Sequence, residues 1–221
     1  MAKAFTRIGK DIVMAVKAGG PDIHGNSRLR VVVQNAKGIN MPKDRIEAAI
    51  KRASSKDEKN YEEVVYEGYG PHGVAVLIET STDNINRTVG NVRSILTRNA
   101  GSLGTSGMLN FIFDRKGVFR IGSEGISAEE MELELIDYGA DEIEEDEGEI
   151  IVYTAFSDFG GMQKALEEKR LNVISSDLQR FPLSFVSIKP AEEEELMKLV
   201  DKLEEDEDVN VVYTNHQVVG E

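Results

Sequence analysis

The spacing of apolar residues limits the folds that this chain can adopt. Three stretches within residues 3–53 place apolar residues at helical spacing, with polar side chains on the opposite face. From residue 61 onward, short runs rich in Val, Ile and Tyr alternate with further helical stretches. Short amphipathic helices must pack together to bury their apolar faces. The pattern therefore predicts an α+β multidomain protein that begins with a three-helix domain.

The order of the later segments predicts two similar units. Residues 117–180 have the order strand, helix, strand, strand, helix, strand, which is the ferredoxin-like βαββαβ pattern. Without that stretch, residues 73–113 joined to 183–214 have the same order, with residues 108–113 as one of the strands. We therefore predict one ferredoxin-like unit inserted into the other. The alternative is two consecutive mixed units, and pairing of the segments 73–80 and 209–214 would distinguish the two.

Changes in composition along the chain suggest the domain boundaries. Residues 54–60 are polar and predict a linker, which would let the first domain move relative to the rest. The predicted domains are residues 1–60, basic and helical; residues 61–114 with 183–221, an α+β domain; and residues 115–182, an inserted acidic α+β domain.

Charge is segregated along the sequence. The formal net charge is −14, yet residues 1–60 hold 13 Lys and Arg against 6 Asp and Glu. A basic segment attached to an acidic body is typical of polyanion-binding proteins, although solubility alone could explain each part. We expect the acidic body to repel nucleic acid and to offer a surface to a basic protein partner.

The basic residues of the helical segment form the candidate nucleic-acid interface. On the first predicted helix they lie opposite the apolar face in a stripe of one sign, and Asn26 and Asn40 are expected to cap the next two helices. The candidate nucleic-acid-binding residues are Lys3, Arg7, Lys10, Lys17, Arg28, Arg30, Lys37, Lys43, Arg45, Lys51 and Arg52.

No residue pattern indicates catalysis. The chain has no Cys, its three His are scattered without ligand spacing, and no nucleophile–base pair is evident. We therefore predict a non-enzymatic protein without cofactor or metal. No apolar run approaches the ~18 residues of a membrane span, and no secretory signal follows the first residue. A cytoplasmic location without membrane contact is expected.

Two glycine-rich segments lie in the first α+β unit. The turn at residues 68–73 and the loop at residues 101–107 are both rich in residues that favour turns. Turn geometry alone explains them. The alternative is a polar backbone surface, flanked by Tyr69 and Arg87, that contacts RNA or a partner protein.

A set of short motifs resembles the YebC/PmpR family along essentially the whole chain. The matching motifs are Asn26-Ser27-Arg28-Leu29-Arg30, Asn40-Met41-Pro42-Lys43-Asp44-Arg45-Ile46, Tyr66-Glu67-Gly68-Tyr69-Gly70-Pro71, Gly73-Val74, Thr82-Asp83-Asn84, Asn86-Arg87-Thr88, Leu103-Gly104-Thr105-Ser106-Gly107 and Asp114-Arg115-Lys116-Gly117. Together these motifs are specific, whereas any one alone is not.

The resemblance implies a helical first domain, two α+β domains and no known catalysis. The family includes proteins described as DNA-binding transcriptional regulators, a mitochondrial translational activator and bacterial members implicated in ribosome function. DNA-binding transcriptional regulation is therefore the leading expectation, and a ribosome-associated translation factor that contacts rRNA is the alternative. Members usually begin with a basic leader, whereas this sequence begins almost at the segment Ala4-Phe5-Thr6. A shorter basic segment would make fewer phosphate contacts.

Overall fold

Three helices open the chain in the computed structural model, which describes residues 2–123 and 125–220. They are α1 (Ala2–Gly19), α2 (Ser27–Gly38) and α3 (Lys43–Ala53). Each buries the apolar face that the spacing predicts, with Ile12 and Leu29 fully buried. The three-helix segment expected from the sequence is confirmed.

Strands and helices alternate through the rest of the chain. In order they are β1 (Glu62–Tyr69), β2 (Ala75–Thr82), α4 (Ile85–Arg98), β3 (Ser102–Leu103), β4 (Phe113–Gly122), α5 (Ala128–Leu135), β5 (Ala140–Asp146), β6 (Glu149–Ala155), α6 (Phe159–Glu168), β7 (Val173–Pro182), β8 (Val186–Ile188), α7 (Pro190–Glu204), β9 (Val209–Thr214) and β10 (His216–Val218).

These elements form two compact units, each made of two chain segments. The first unit comprises Met1–Glu58 and Arg115–Arg180, and the second comprises Lys59–Asp114 and Phe181–Glu221. The basic helical segment and the inserted acidic segment of the sequence therefore lie within one unit.

The second unit contains a four-stranded sheet in the order β3-β1-β2-β9. β2 pairs antiparallel with β9, and Val76 lies opposite Thr214. Side chains from α4 and α7, including Leu96 and Leu199, join Ile78 in the buried core. The pairing of β2 with β9 closes the unit across the insertion, so the nested arrangement is confirmed.

Two details of this unit differ from the sequence prediction. Residues 108–112 form turns instead of the strand expected at 108–113, and β8 pairs in parallel with β10 outside the main sheet. The buried Glu67 carboxylate accepts the N–H groups of Gly107 and Leu109, each at 2.7 Å. Because a side chain occupies these backbone donors, this segment does not form a strand.

The first unit contains a four-stranded sheet in the order β5-β6-β4-β7. The chain passes through these strands and their two helices as strand, helix, strand, strand, helix, strand, as in ferredoxin-like folds. Phe119 and Ile150 of the sheet pack with Met131 of α5 and Leu166 of α6 in the core. One edge strand is β5 and the other is β7.

Helix α2 covers the edge strand β7 with its polar face. The Asn35 side chain donates to the Ser176 carbonyl at 2.9 Å and accepts the Ser176 N–H at 2.8 Å. Gln34 donates to the Val173 carbonyl at 2.8 Å. The side-chain amides of Gln34 and Asn35 therefore hydrogen-bond to the backbone of β7, as a neighbouring strand would.

Gly38, the last residue of α2, permits this close approach. A Cβ atom at this position would lie 2.3 Å from the Ile174 carbonyl oxygen, which no real Cβ tolerates. The requirement for glycine here comes from packing against β7, since Gly38 does not have a positive φ.

We predict that Asn35→Ala lowers the free energy of unfolding by about 1–3 kcal/mol, because it leaves the Ser176 N–H and carbonyl without these partners. Urea denaturation measures the change. Gln217→Ala, at an exposed position of β10, is the control and should change stability by less than about 0.5 kcal/mol. Equal stability of the two variants would contradict the role of Asn35.

Candidate nucleic-acid interface

Asn26 fixes the junction between α1 and α2. Its side chain accepts the Leu29 N–H at 3.0 Å, as a helix cap does, and donates to the carbonyls of Ala15 and Gly20, each at 2.8 Å. The residue is buried, and these bonds satisfy the polar atoms of its side chain. The capping role predicted for Asn26 is confirmed.

Asn40 does not cap α3, and that prediction is wrong. It adopts a left-handed conformation, with φ of 57°, just after α2. The N–H groups of Asn40 and Met41 return to the carbonyls of Lys37 and Ala36, each at 2.9 Å. Asn tolerates this conformation better than most residues, so it serves the end of α2. Helix α3 begins at Lys43, after Pro42.

Most of the candidate basic residues are exposed. These exposed residues are Lys3, Lys17, Arg28, Lys37, Lys43, Arg45, Lys51 and Arg52. They come from all three helices, and α3 alone contributes four of them, while its residues Ile46, Ala49 and Ala53 are buried.

Three of the candidate basic residues, two on α1 and one on α2, are less accessible than predicted. Lys10 is only 8% exposed, and Arg7 is half-buried, with its guanidinium 4.0 Å from Asp11. Arg30 contacts Glu167 at 3.1 Å and donates to the carbonyls of residues 23 and 24. Arg30 therefore helps to hold α2 on the inserted segment.

Contacts between α1 and α3 bring part of the basic set together. The Arg45 guanidinium lies 5.8 Å from the centre of the Phe5 ring, so the first turns of the two helices meet. Lys17 donates to the Glu58 carbonyl, and Arg52 pairs with the Glu58 carboxylate at 3.1 Å. The two helices therefore lie side by side in the same direction, with basic side chains at both ends.

Several acidic groups of the helical segment are occupied locally. The Asp22 carboxylate accepts the backbone N–H groups of residues 24 and 25, each at 3.1 Å. Glu47 lies 3.6 Å from Lys43. Among the residues that the structure describes, Lys37, Arg45 and Lys51 form no ion pair. Positive charge therefore dominates the exposed surface of α1 and α3.

Arg87 belongs to an ion-pair network in the second unit. It lies 2.6 Å from the buried Asp208 and 2.7 Å from Asp83, and Lys59 reaches Asp83 at 2.6 Å. Thr88 also donates to Asp208, at 2.8 Å. This network connects the start of α4 to the start of β9. The arginine at position 87 therefore has a structural role, which accounts for its presence without a ligand.

The two glycine-rich segments meet, but Tyr69 and Arg87 do not. Tyr69, at the end of β1, pairs with Ser102 and lies opposite Ala75 at the start of β2. Arg87 binds Asp83, just after β2 ends. An eight-residue strand spans roughly 23 Å, so the two side chains cannot flank one small surface.

Sequence reasoning missed the polar groups that organise each unit. Asn35 and Glu67 are single polar residues inside or beside apolar patterns, and Asp208 ends an acidic run that suggests a solvated surface. The one available signal is the carboxylate Glu67 within a Val- and Tyr-rich strand, because a charge there requires a partner when buried.

Two features are absent from residues 2–123 and 125–220. In that part of the chain, no helix is both long enough and apolar enough to cross a membrane. The same part holds no group of three His, Asp or Glu side chains arranged to hold a metal ion.

The fold and the exposed charge define a multidomain α+β protein with a basic helical segment. Residues 1–56 match the TACO1/YebC protein N-terminal domain, and residues 61–216 match the TACO1/YebC second and third domain. The chain belongs to the TACO1/YebC family.

Relatives with similar sequences carry the name "probable transcriptional regulatory protein". One from Cytophaga hutchinsonii is 57% identical over 97% of this chain and 90% of its own length. Another from Flavobacterium johnsoniae is 55% identical over 96% of this chain and 90% of its own length. A crystal structure of a conserved hypothetical protein from Aquifex aeolicus is 35% identical and superimposes with a TM-score of 0.82, covering 100% of this chain and 91% of that one.

We predict that Asp83→Asn destabilises the protein at neutral pH but not in strong acid. Hydrogen bonds from Lys59 and Arg87 lower the pKa of Asp83 to about 2. Its unfolded pKa is near 3.9, so the stabilisation is present above about pH 4 and is lost as the pH falls towards 2. Urea denaturation of both proteins between pH 7 and pH 2 measures the difference.

Asp57→Asn, at an exposed carboxylate, is the control for Asp83. The stability difference between wild type and Asp83→Asn should shrink with falling pH. A difference that stays constant from pH 7 to pH 2 would show that the ion pairs of Asp83 do not stabilise the fold.

We predict that Glu67→Gln loosens the loop that precedes β4. One amide oxygen replaces two carboxylate oxygens, so at least one of the Gly107 and Leu109 N–H groups loses its charged acceptor, at a cost of about 1–3 kcal/mol. Hydrogen exchange at these two amides should become faster. Glu62→Gln, at an exposed position on the same strand, should leave both rates unchanged. Unchanged exchange in Glu67→Gln would contradict the clamp.

Proposed function

We propose that this protein is a non-enzymatic regulator of gene expression that acts in the cytoplasm and binds DNA through its three N-terminal helices. The observation that carries this proposal is the exposed basic surface of α1 and α3. We define that surface by Lys3, Lys17, Lys43, Arg45, Lys51 and Arg52, all of which are exposed.

The chemistry of this surface suits a phosphate backbone. Flexible, exposed Lys and Arg side chains neutralise phosphates and release condensed counterions, which supplies most of the affinity in non-specific binding. Arg45 and Lys51 face solvent without a carboxylate partner among the described residues. Arg28 and Lys37 of α2 are exposed as well and are proposed as additional contacts.

Local structure supports this role for α3. The helix packs its small and apolar side chains against the other two helices and keeps four basic residues outside. A rigid helix with charged residues on its exposed side can approach the groove or the backbone of a duplex. Lys10, Arg7 and Arg30 are outside the proposed surface because Lys10 is buried and Arg7 and Arg30 are only partly exposed.

The names of the relatives support a regulatory role in transcription. Ribosomal RNA is the second candidate target, because its phosphates would attract the same side chains. A translation factor that contacts rRNA is therefore the alternative that the experiment must distinguish. Pull-down of promoter DNA, beside co-sedimentation with ribosomes before and after nuclease treatment, separates the two.

We predict that replacing Lys17, Arg45, Lys51 and Arg52 together with Gln weakens binding to duplex DNA. Loss of four phosphate contacts should reduce the slope of log K against log salt by about 3–4 in magnitude. Fluorescence anisotropy with labelled duplex DNA, repeated with an rRNA fragment over a range of salt concentrations, measures the slope.

The matched control replaces four exposed basic residues elsewhere, Arg93, Lys164, Lys198 and Lys202, with Gln. This variant changes the net charge equally but removes none of the proposed phosphate contacts, so it should leave the slope unchanged. Both variants should keep the melting temperature of the wild type. An equal loss in both variants would show that net charge, and not the surface of α1 and α3, governs binding.

A further inference from the structure

We propose that the open edge of strand β5 is a docking site for an extended, basic segment of another protein, which adds to the sheet as a further strand. This inference concerns a surface of the inserted segment and does not depend on nucleic-acid binding by α1–α3. Three observations on the first unit carry it.

The two edges of the β5-β6-β4-β7 sheet are treated differently. Along β7, Asn35 and Gln34 bind the backbone of residues 173 and 176. Along β5, pairing with β6 occupies one side of the strand, and the strand is the terminal member of the sheet. The outer backbone groups of an edge strand are donors and acceptors that a new strand can use.

Strand β5 is strongly and uniformly acidic. Five of its seven residues are carboxylates, all exposed, and none is basic. These carboxylates are Asp141, Glu142, Glu144, Glu145 and Asp146. The Tyr153 hydroxyl donates to one of them, Glu144, at 3.0 Å. A partner strand that carries Lys or Arg would meet complementary charge along this edge.

Exposed apolar side chains lie in the helix and the turn that precede β5. Leu133 is 80% exposed on α5, and Ile136 and Tyr138 are 57% and 42% exposed in the turn that leads directly into β5. Helix α5 packs against β5. Acidic residues alone are a common protection against edge-to-edge aggregation, but such protection does not account for three exposed apolar side chains in the helix and turn that lead into β5.

Charge also decides among the possible occupants. A second copy of this chain that added through its own β5 would place carboxylates opposite carboxylates, which is unfavourable. Nucleic acid would be repelled for the same reason. An extended segment in which Lys or Arg alternates with apolar residues fits all the observations, because main-chain bonds supply affinity and alternate side chains supply specificity.

The test uses the full chain and a defined probe. The probe is a capped seven-residue peptide that alternates Lys and Val, matched in length to β5. The control peptide has the same sequence with an N-methyl group on every backbone amide, which keeps the side-chain charge but removes the N–H donors from both edges of the strand. Isothermal titration measures affinity, and hydrogen exchange measures protection of the β5 amides. We expect the unmodified peptide to bind at least tenfold more tightly and to protect β5.

Two protein variants complete the test. Replacing Glu142 and Glu144 with Gln and Asp146 with Asn should weaken binding of the unmodified peptide about tenfold, as expected for three exposed charge contacts. The control variant, with Gln at Glu62 and Glu194 and Asn at Asp201, removes three exposed carboxylates elsewhere and should bind within twofold of wild type.

Several results would overturn the proposal. Equal binding of the two peptides would show that charge alone attracts them, and unchanged exchange of the β5 amides would place the peptide elsewhere. An equal loss in both protein variants would assign the effect to net charge. Sedimentation of the free protein as a dimer that the β5 substitutions alone dissociate would identify a second copy as the occupant.

Discussion

The arrangement of the first unit depends on the hydrogen bonds that α2 makes to the edge of β7. An edge strand exposes backbone donors and acceptors, and the Asn35 side chain matches one donor and one acceptor of Ser176 at once. Gly38 allows α2 to come close enough, and Arg30 adds an ion pair to Glu167. Some polar residues of the helical segment, such as Asn35 and Arg30, therefore hold the unit together, and the other exposed ones can contact a ligand.

Buried carboxylates have the equivalent role in the second unit. Glu67 binds two backbone N–H groups of the loop before β4, and Asp208 binds Arg87 and Thr88 between α4 and β9. A buried charge is tolerated only when donors surround it, so each of these carboxylates determines the path of the chain beside it. The glycine-rich loop owes its shape to one side chain on a neighbouring strand.

Apolar periodicity was sufficient to predict the helices, the inserted sheet and the nesting, because burial of a hydrophobic face is a local property of the pattern. It failed where a distant polar group competes for the backbone, as Glu67 does for residues 107 and 109. Asn40 fits either the start of one helix or the end of another, and only the surrounding bonds decide. The stripe on α1 was incompletely predicted for a related reason: helical spacing gives the face of Lys10 but not what packs against that face.

The sheet of the first unit has helix α2 of the basic segment at one edge and the acidic strand β5 at the other. Helix α2 covers the β7 edge, whereas the acidic strand β5 is three strand positions away. Strands are spaced about 4.8 Å apart, so the two edges are about 14 Å from each other. This distance exceeds the Debye length of roughly 8 Å at physiological salt, and exposed charges on the two edges therefore interact weakly through solvent. A polyanion on the helices and a basic segment on β5 would each meet a largely unperturbed local field, and one compact unit could hold both at the same time.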